Sequence, residues 1–252
     1  PPPPPPPPLS RDTVSKFFLG NITHPKLDTQ IDTYTIPDNT LSLYHTNIRS
    51  LNKNYDLLLT HLKNQQQTAD IIALTENNLS DDEVNPNSYP IPGYTAVHRR
   101  GISVYRKNTL HTTCTTNSSI PNTHIIIIEL HQNKHNNNPI HTIINIYKRP
   151  KHNPNFIKDL QKIIDNTKTK HPNSTITIQG DININLKKLT KSFYNFLIEN
   201  NLYTTITTPT RYDPVHKTTA TIIDVVLTTR HDTQGKARHG NLLKINSTWD
   251  KP

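Results

Sequence analysis

The stretch Ile176-Thr-Ile-Gln-Gly-Asp-Ile-Asn183 carries the strongest structural signal in the sequence, an apolar alternation that ends at a glycine and is followed by an acid and an amide. Because residues i and i+2 of an extended chain point to the same side, Asp181 and Asn183 are expected to project together from the end of a buried strand. Ile182 then faces the core, and Gly180 permits close approach of another backbone or a ligand. A carboxylate beside a carboxamide suits the placing of a water next to a phosphate, which predicts a phosphoester-cleaving site.

The composition indicates one basic α/β or sandwich domain with tails. The chain has 252 residues, of which 32% are hydrophobic, and a formal net charge of +9 that is spread along the sequence. A basic surface attracts the phosphates of nucleic acid. The charge fits equally a basic protein that has no such partner, so both interpretations stay open at this point.

The cysteine content bears on the compartment. The single cysteine, Cys114, excludes an internal disulfide framework and a cysteine metal cluster. It is typical of a reducing compartment, so the nucleus or the cytoplasm is expected rather than secretion. No apolar run approaches the ~18 residues of a membrane span, and no signal peptide is visible. We therefore expect no membrane partner.

The chain is predicted to have three parts. Residues 1–40 open with eight prolines, which favour polyproline II and cannot join a packed core, so they are expected to be a low-complexity tail or linker. Residues 41–230 alternate strand-like and helix-like segments, which suits two sheets packed face to face with helices outside. Residues 231–252 show little periodicity. The predicted strands are 41–47, 70–76, 94–97, 102–105, 124–130, 141–147, the segment that carries Asp181, and 221–227; the predicted helices are 52–67, 155–167 and 189–201.

Polar side chains end or interrupt several of the apolar strands. One such residue is more often a turn former or a cap than a functional group. Several of them in a consistent position favour a functional cluster, because α/β folds usually place their active residues at strand ends. The residues concerned are Asn47, Glu76, Tyr147, Asp181 with Asn183, and Asp224.

Six short segments, in a fixed order along the chain, carry a resemblance to a known family. They are Asn47-Ile-Arg-Ser-Leu51, Leu74-Thr-Glu76, Ile91-Pro-Gly-Tyr94, Ile146-Tyr-Lys-Arg-Pro150, Gly180-Asp-Ile-Asn183 and Ile223-Asp-Val-Val-Leu-Thr228. The set resembles the endonuclease/exonuclease/phosphatase superfamily and, more narrowly, the apurinic-type endonuclease domain of non-LTR retrotransposons of the jockey and chicken-repeat kind. This resemblance implies a four-layered α/β sandwich over residues 41–230, in which two packed mixed β-sheets are flanked by helices.

The resemblance also implies an activity, a metal-assisted phosphodiesterase that nicks DNA. In the family, the residue that matches Glu76 ligates Mg²⁺, and the residue that matches Asn47 helps to hold the metal site. Mn²⁺ is a substitute metal for such a site. A hard cation with few protein oxygens and several waters suits so sparse a set of ligands.

The remaining site residues receive roles from the same resemblance. Asp181 is expected to orient or deprotonate the attacking water, and Asn183 to hold a phosphate oxygen. Tyr147 is expected to donate a hydrogen bond to the phosphate, and Asp224 to orient a catalytic histidine. The expected phosphate or DNA contacts are Arg49, Arg149, Thr210 and Thr221.

The sequence departs from the family in two places. The family ends with Ser-Asp-His, whereas the tail here reads Asn246-Ser-Thr-Trp-Asp-Lys-Pro252, and neither His231 nor His239 lies in a recognisable strand. The segment Arg99-Arg-Gly-Ile-Ser-Val-Tyr105 replaces a longer glycine-rich loop. A truncated C-terminus is therefore expected, with reduced activity because a positioned acid–base group contributes about 10²–10⁴-fold to rate.

Four interpretations of function stay open. The first is a retroelement endonuclease, acting on DNA as a monomer, that leaves a 3′ hydroxyl for reverse transcription; the reverse transcriptase domain is absent from this sequence. Within the enzyme class, the alternative is a cellular abasic-site endonuclease or a phosphatase. A third is a catalytically inactive DNA-binding remnant, and a fourth is a basic scaffold protein.

Overall fold

The structure is a computed structural model that describes residues 40–64, 69–135, 138–204, 206, 209–212, 220–229, 234–238 and 242–248. These residues belong to one compact unit, residues 34–252. The proline-rich tail predicted for residues 1–40 lies outside the described residues, apart from Thr40. None of the described helices has the length and apolar character that a membrane crossing requires.

The first sheet contains six strands in the order β13-β14-β1-β2-β4-β3. Strands β1 and β2 are parallel, and the other neighbouring pairs are antiparallel. The carboxyl ends of β1 and β2 therefore meet at one edge of this sheet. The strands are β1 (Thr40–Asn47), β2 (Ile71–Thr75), β3 (Tyr94–Arg99), β4 (Ile102–Lys107), β13 (Gln234–Arg238) and β14 (Leu242–Thr248).

The second sheet also contains six strands, in the order β5-β6-β7-β8-β12-β9. Strands β7 and β8 are parallel, and β12 runs antiparallel to β8. The strands are β5 (Thr112–Asn117), β6 (Thr123–Leu130), β7 (His141–Lys148), β8 (Thr175–Asp181), β9 (Tyr203–Thr204) and β12 (Asp224–Thr228). Two short strands, β10 (Arg211–Tyr212) and β11 (Ala220–Thr221), pair with each other.

Three α-helices have one apolar face each. Helix α1 (Leu51–Lys63) buries three leucines, α2 (Phe156–Lys170) buries residues at helical spacing from Phe156 to Thr167, and α3 (Lys191–Glu199) buries two phenylalanines and a leucine. Ser50 and Thr190 cap α1 and α3, because each side chain accepts a hydrogen bond from a backbone N–H of the first turn. A short 3₁₀ helix covers Leu186–Lys188.

The core has two parts that correspond to the two faces of the first sheet. One face, including Leu43 and Ala73, packs in a single cluster with the isoleucines of β6, β7 and β8 and with the buried residues of α2 and α3. The other face, including Tyr44 and Leu74, packs against α1. The fold is thus two mixed sheets packed together with helices on their outer faces, as the resemblance implied.

The predicted elements match the structure where periodicity is local and strong. The β6–β7 hairpin, α2 and β8 lie where the apolar pattern predicts them. Helix α1 ends at Lys63, and the rest of its predicted extent, residues 65–67, lies outside the described residues.

Three segments differ from the predictions. Strand β5 was not predicted, because Thr112–Asn117 is almost wholly polar. The strand predicted at 221–227 begins at Asp224, since Thr221 pairs in β11 instead. Residues 234–238 and 242–248, where the sequence shows little periodicity and no strand was predicted, form β13 and β14, and six residues of β14 pair with β1.

Candidate active site

Strand ends of the second sheet bring three site residues into one row. Tyr147 in β7 lies opposite Asp181, the last residue of β8, and Asp181 lies opposite Asp224, the first residue of β12. Because β12 is antiparallel to β8, its amino end reaches the edge at which the parallel strands end. The sequence predicts Asp224 inside the strand 221–227, whereas in the structure it is the first residue of β12.

The segment that follows β8 holds Asp181 and Asn183 together by a turn rather than by strand alternation. Asn183 has a φ of 48°, and its backbone N–H donates to Asp181 Oδ1 over 2.9 Å. The Asn183 amide donates to the Lys148 carbonyl oxygen over 2.7 Å, which leaves its second N–H and its oxygen for a ligand. Ile182 is 1% exposed, as predicted.

Gly180 is required by the approach of β7. Its φ is +138°, and a Cβ at this position would lie 1.9 Å from the Ile146 carbonyl oxygen. The close approach predicted from the sequence is therefore that of a backbone, and it brings Asp181 alongside Tyr147.

The first sheet contributes Asn47 and Glu76 from adjacent parallel strands. Asn47 ends β1 opposite Thr75, and Glu76 follows β2 directly. Glu76 has a φ of 54°, and its carbonyl oxygen accepts the Ser50 N–H over 2.7 Å, so the two loops that follow β1 and β2 support each other. A positive φ at a non-glycine residue is uncommon and is concentrated at functional sites.

The side chains of the two sheets interact electrostatically. Burial, the Asp224 charge and the Glu76 charge raise the pKa of Asp181 to about 8, against its hydrogen bond from Asn183. Burial and the Glu76 charge likewise raise the pKa of Asp224 to about 6, against a hydrogen bond from Thr210. Glu76 therefore lies within electrostatic range of both buried carboxyl groups. The site predicted from scattered positions is one acidic cluster.

Tyr147 stays protonated over the neutral range. Burial and the charges of Glu76 and Asp181 raise the pKa of its phenol to about 12, while Arg149 opposes this shift. The hydroxyl is therefore a hydrogen-bond donor at neutral pH.

The acidic cluster provides oxygen donors for a hard cation. Among the described side chains, no group of three or more His, Cys, Asp or Glu is arranged to hold a metal ion. A Mg²⁺ ion needs fewer protein ligands than that, because it commonly keeps several waters and takes one or two carboxylates. The mutual repulsion of Glu76, Asp181 and Asp224 is what a cation would relieve. The oxygen donors present therefore suit a hard cation, and its ligation by Glu76 and Asn47 stays a prediction.

Thr210 and Thr221, predicted to contact phosphate, support Asp224 within the protein. The Thr210 hydroxyl oxygen accepts the backbone N–H groups of Ile223 and Asp224, each over 3.2 Å. The Thr210 N–H donates to the Thr221 carbonyl oxygen over 2.9 Å. Their contact with phosphate remains a prediction.

The arginines predicted to bind phosphate are exposed at the same edge. Arg49 follows β1 with a φ of 48°, and its N–H donates to Asn47 Oδ1 over 3.2 Å. Arg149 follows β7, and its N–H donates to the Asn122 carbonyl oxygen over 2.9 Å. Arg211, which the sequence did not single out, lowers the pKa of both Asp181 and Asp224.

A buried histidine that the sequence pattern did not single out lies beside Asp224. His45 is 1% exposed, and its Nδ1 is 3.8 Å from Asp224 Oδ1. Within the described part of the chain, neither atom has a hydrogen-bond partner. Burial lowers the pKa of His45 to about 3, so the ring is neutral. The available signal was its spacing, since residue 45 shares a strand face with Asn47.

His231 and His239 are not among the described residues. Whether Asp224 orients either of them stays a prediction.

Solved structures share this fold. The chain matches no family model and no curated protein by sequence. It is similar to an AP endonuclease of Leishmania major, with a TM-score of 0.67 and 12% identity over 96% of each chain. It is also similar to an endonuclease/exonuclease/phosphatase family protein of Bacteroides thetaiotaomicron, with a TM-score of 0.61 and 12% identity over 86% of this chain and 100% of that one.

A third structure contains nucleic acid. It is a 3′ phosphatase of Neisseria bound to a product DNA hairpin, with a TM-score of 0.58 and 14% identity over 83% of this chain and 99% of that one. At these identities the likeness concerns the fold alone. The chain therefore has the fold of the endonuclease/exonuclease/phosphatase proteins.

Proposed function

We propose that this chain is a Mg²⁺-dependent phosphodiesterase that nicks DNA, and that it derives from a non-LTR retroelement in which the nick leaves a 3′ hydroxyl for reverse transcription. The observation that carries the proposal is the acidic cluster at one edge of the two sheets, where Asp181 ends β8 opposite Asp224 and the Glu76 charge acts on both carboxyl groups. The retroelement origin rests on the residues of the segments Asn47-Ile-Arg-Ser-Leu51 and Tyr147-Lys-Arg-Pro150. The fold of AP endonucleases and related phosphatases supports hydrolysis of phosphoesters.

Each residue of the site has a role in this reaction. Asp181 accepts a proton from the attacking water, and its raised pKa makes the carboxylate a stronger base. Asn183 offers an amide N–H to a phosphate oxygen, and the Tyr147 hydroxyl offers a second donor. Glu76 and Asn47 would hold the metal, which would neutralise charge on the phosphate and the leaving oxygen.

The proposal is tested by nicking of supercoiled plasmid in Mg²⁺. We expect the intact chain to relax the plasmid, and Asp181→Asn and Glu76→Gln to lower the rate by at least about 10²-fold, the size of one positioned acid–base group. Chelation of the metal should abolish the reaction. Primer extension from the nick should show a 3′ hydroxyl.

Glu199→Gln is the matched control for Glu76→Gln. Glu199 is exposed at the end of α3. The next strand, β9, pairs with Leu227 and Thr228, at the end of β12 away from Asp224. This variant should nick like the unmodified chain. Nicking that survives both site substitutions would show that the site is assigned wrongly.

A second candidate function, an inactive DNA-binding remnant, is favoured by Lys251, which follows Asp250 where the Ser-Asp-His motif would have its histidine. His239 is one of the two tail histidines that the sequence offers, and it is tested by its own variant, His239→Ala. A chain that binds DNA and never nicks it is the remnant; a chain whose nicking depends on His239 has its imidazole in the tail.

A further inference from the structure

We propose that Arg99, Arg100, His124 and Arg149 form a second phosphate subsite, which binds the DNA backbone phosphate next to the one that is cut. This inference rests on the proposed function for the identity of the ligand. The four residues, named here the arginine subsite, lie outside the acidic cluster and come from both sheets.

The backbone places the arginine subsite directly beside Tyr147. Arg99 ends β3, Arg100 and Gly101 form the turn to β4, and Gly101 has a φ of +84°. A Cβ at Gly101 would lie 2.5 Å from Tyr147 Cδ1 and 3.1 Å from His124 Cδ2. The turn is therefore in contact with the rings of both residues. A side chain at position 101 would push the arginines away from the site.

His124 and Tyr147 lie side by side on neighbouring strands. They are opposite each other in the β6–β7 pairing, and their rings stack with centroids 6.3 Å apart and planes 13° apart. A phosphate that contacts the His124 ring is thus adjacent to one that contacts the Tyr147 hydroxyl. Two neighbouring positions of this kind suit consecutive phosphates of one strand.

A buried amide holds the turn in place and links it to Glu76. Asn77 is 0% exposed, and its Nδ2 donates to the Arg99 carbonyl oxygen over 2.7 Å. Its Oδ1 accepts the Gly101 N–H over 2.7 Å. Because Asn77 follows Glu76 directly, the arginine turn and the acidic cluster have a common anchor.

The charges of the arginine subsite are poorly compensated. All three arginines act on His124, whose pKa is lowered first by burial and then by Arg149, Arg99 and Arg100. Within the described residues, the one ion pair that these arginines make joins exposed Arg100 and Asp81 over 3.5 Å. Arg99 donates to the neutral Thr116 hydroxyl over 2.7 Å. An anion at this point offsets the repulsion, and guanidinium groups bind phosphate with favourable geometry.

DNA is the partner that this arrangement fits. A duplex presents a continuous row of phosphates, and a protein that contacts one phosphate at a catalytic site meets the next phosphate at a fixed distance along the strand. A free phosphate or nucleotide would occupy one position only. The arginine subsite then orients the substrate and contributes to affinity without reading sequence.

The test measures binding to a duplex oligonucleotide in the absence of metal, so that no cleavage occurs. We expect Arg99→Ala and Arg149→Ala each to weaken binding about tenfold. Each substitution should also reduce the slope of log affinity against log salt by about 0.9 for the lost phosphate contact. Lys63→Ala, an exposed change of the same charge at the far end of α1, should leave both quantities unchanged.

A single uncharged methylphosphonate, moved stepwise along the strand, locates the contact. At one position next to the cut phosphate, the effect of Arg99→Ala should vanish, because the partner charge is already gone. The proposal is overturned if the arginine variants bind like Lys63→Ala, or if no methylphosphonate position removes their effect. Duplex RNA that is bound equally, with the same dependence on Arg99, would overturn the assignment to DNA.

Separate measurements of DNA binding and of DNA nicking distinguish a failure of the arginine subsite from a failure of the proposed function. A chain that binds DNA through Arg99 and Arg149 but never nicks it retains the arginine subsite and loses the catalytic role. A chain that nicks DNA in an Asp181-dependent way, with unchanged affinity and KM in the arginine variants, retains the catalytic role and loses the arginine subsite.

Discussion

Asp181 shows how the fold alters the chemistry of one residue. The side chain is 1% exposed and lies opposite Asp224 in the sheet, so that its ionisation is opposed by lost hydration and by a second carboxyl group. A carboxyl group in this position lowers the stability of the protein when it ionises, and the same surroundings make the carboxylate a stronger base. The sequence predicts the residue but not this cost, because the cost comes from strands that are far apart along the chain.

Asp181→Asn is expected to stabilise the metal-free protein, and more so at high pH. The folded pKa is raised from 3.8 to about 8, so the folded state loses stability as pH rises through this interval. Asparagine removes the charge and keeps an acceptor for the Asn183 N–H. Each pKa unit corresponds to about 1.4 kcal/mol, so the expected gain at pH 8.5 is of the order of a few kcal/mol.

Urea unfolding at pH 5 and pH 8.5 with chelator present measures this effect. Asp165→Asn, at an exposed position of α2, is the control and should change stability little at either pH. An equal effect of Asp181→Asn at the two pH values would contradict the raised pKa.

Gly180→Ala is expected to destabilise the protein by about 3 kcal/mol or more, since a backbone carbonyl cannot move aside as a side chain can. The added Cβ would lie 1.9 Å from the Ile146 oxygen. Gly93→Ala is the control, because Gly93 has a similarly positive φ of +82° but open space around its Cβ position. It should cost about 1 kcal/mol. Equal losses of melting temperature would show that conformation, not contact, governs both sites.

At the scale of elements, the candidate site depends on loops that are tied to each other. The loop after β2 is bonded to the loop after β1 by Ser50 N–H and Leu51 N–H, and to the β3–β4 turn by the side chain of Asn77. Such mutual bonding holds Glu76 in an uncommon backbone conformation. It depends on three non-consecutive segments, and no periodicity of the sequence reports it.

Asn77→Leu is expected to lower stability by about 2–4 kcal/mol. Leucine has the same number and branching of side-chain heavy atoms as asparagine, but it leaves the Arg99 carbonyl oxygen, the Gly101 N–H and the Ser103 hydroxyl without their present partner. Each buried group that stays unsatisfied costs about 1–3 kcal/mol. Chemical denaturation measures the loss. Asn195→Leu, on the exposed side of α3, should be close to neutral. A neutral Asn77→Leu would refute the anchoring role of the amide.

At the scale of the whole molecule, the C-terminal strands complete the first sheet. Six residues of β14 pair with β1, which carries Asn47 and His45 of the site. Without β14, β1 would present an unpaired strand edge, and such edges promote aggregation.

A chain that ends at residue 230 is therefore expected to lose its cooperative thermal transition or to aggregate. Thermal unfolding by circular dichroism and size-exclusion chromatography check this. Deletion of residues 1–33, which begin with the eight prolines, is the control and should leave the melting temperature of the remainder unchanged. A truncated chain with the original melting temperature would contradict the structural role of β13 and β14.

The sequence by itself predicted the elements with strong local periodicity and named the residues of the candidate site. Alternation in β8 and helical spacing in α2 are local patterns, so they could be read without knowledge of the partners. The site residues at strand ends could be named from the same local patterns and from the family resemblance of the segments that contain them. The polar β5 and the C-terminal strands could not, since their pairing rests on neighbours distant in sequence.

Only the tertiary structure decided how these residues act on one another. Asp224 reaches the site through an antiparallel strand, His45 meets it from the opposite sheet, and Asn77 joins Glu76 to the arginine turn. The physical reason is that burial, charge and hydrogen bonding depend on distance in space. Periodicity along the chain reports which face a residue takes, and packing alone reports which groups that face meets.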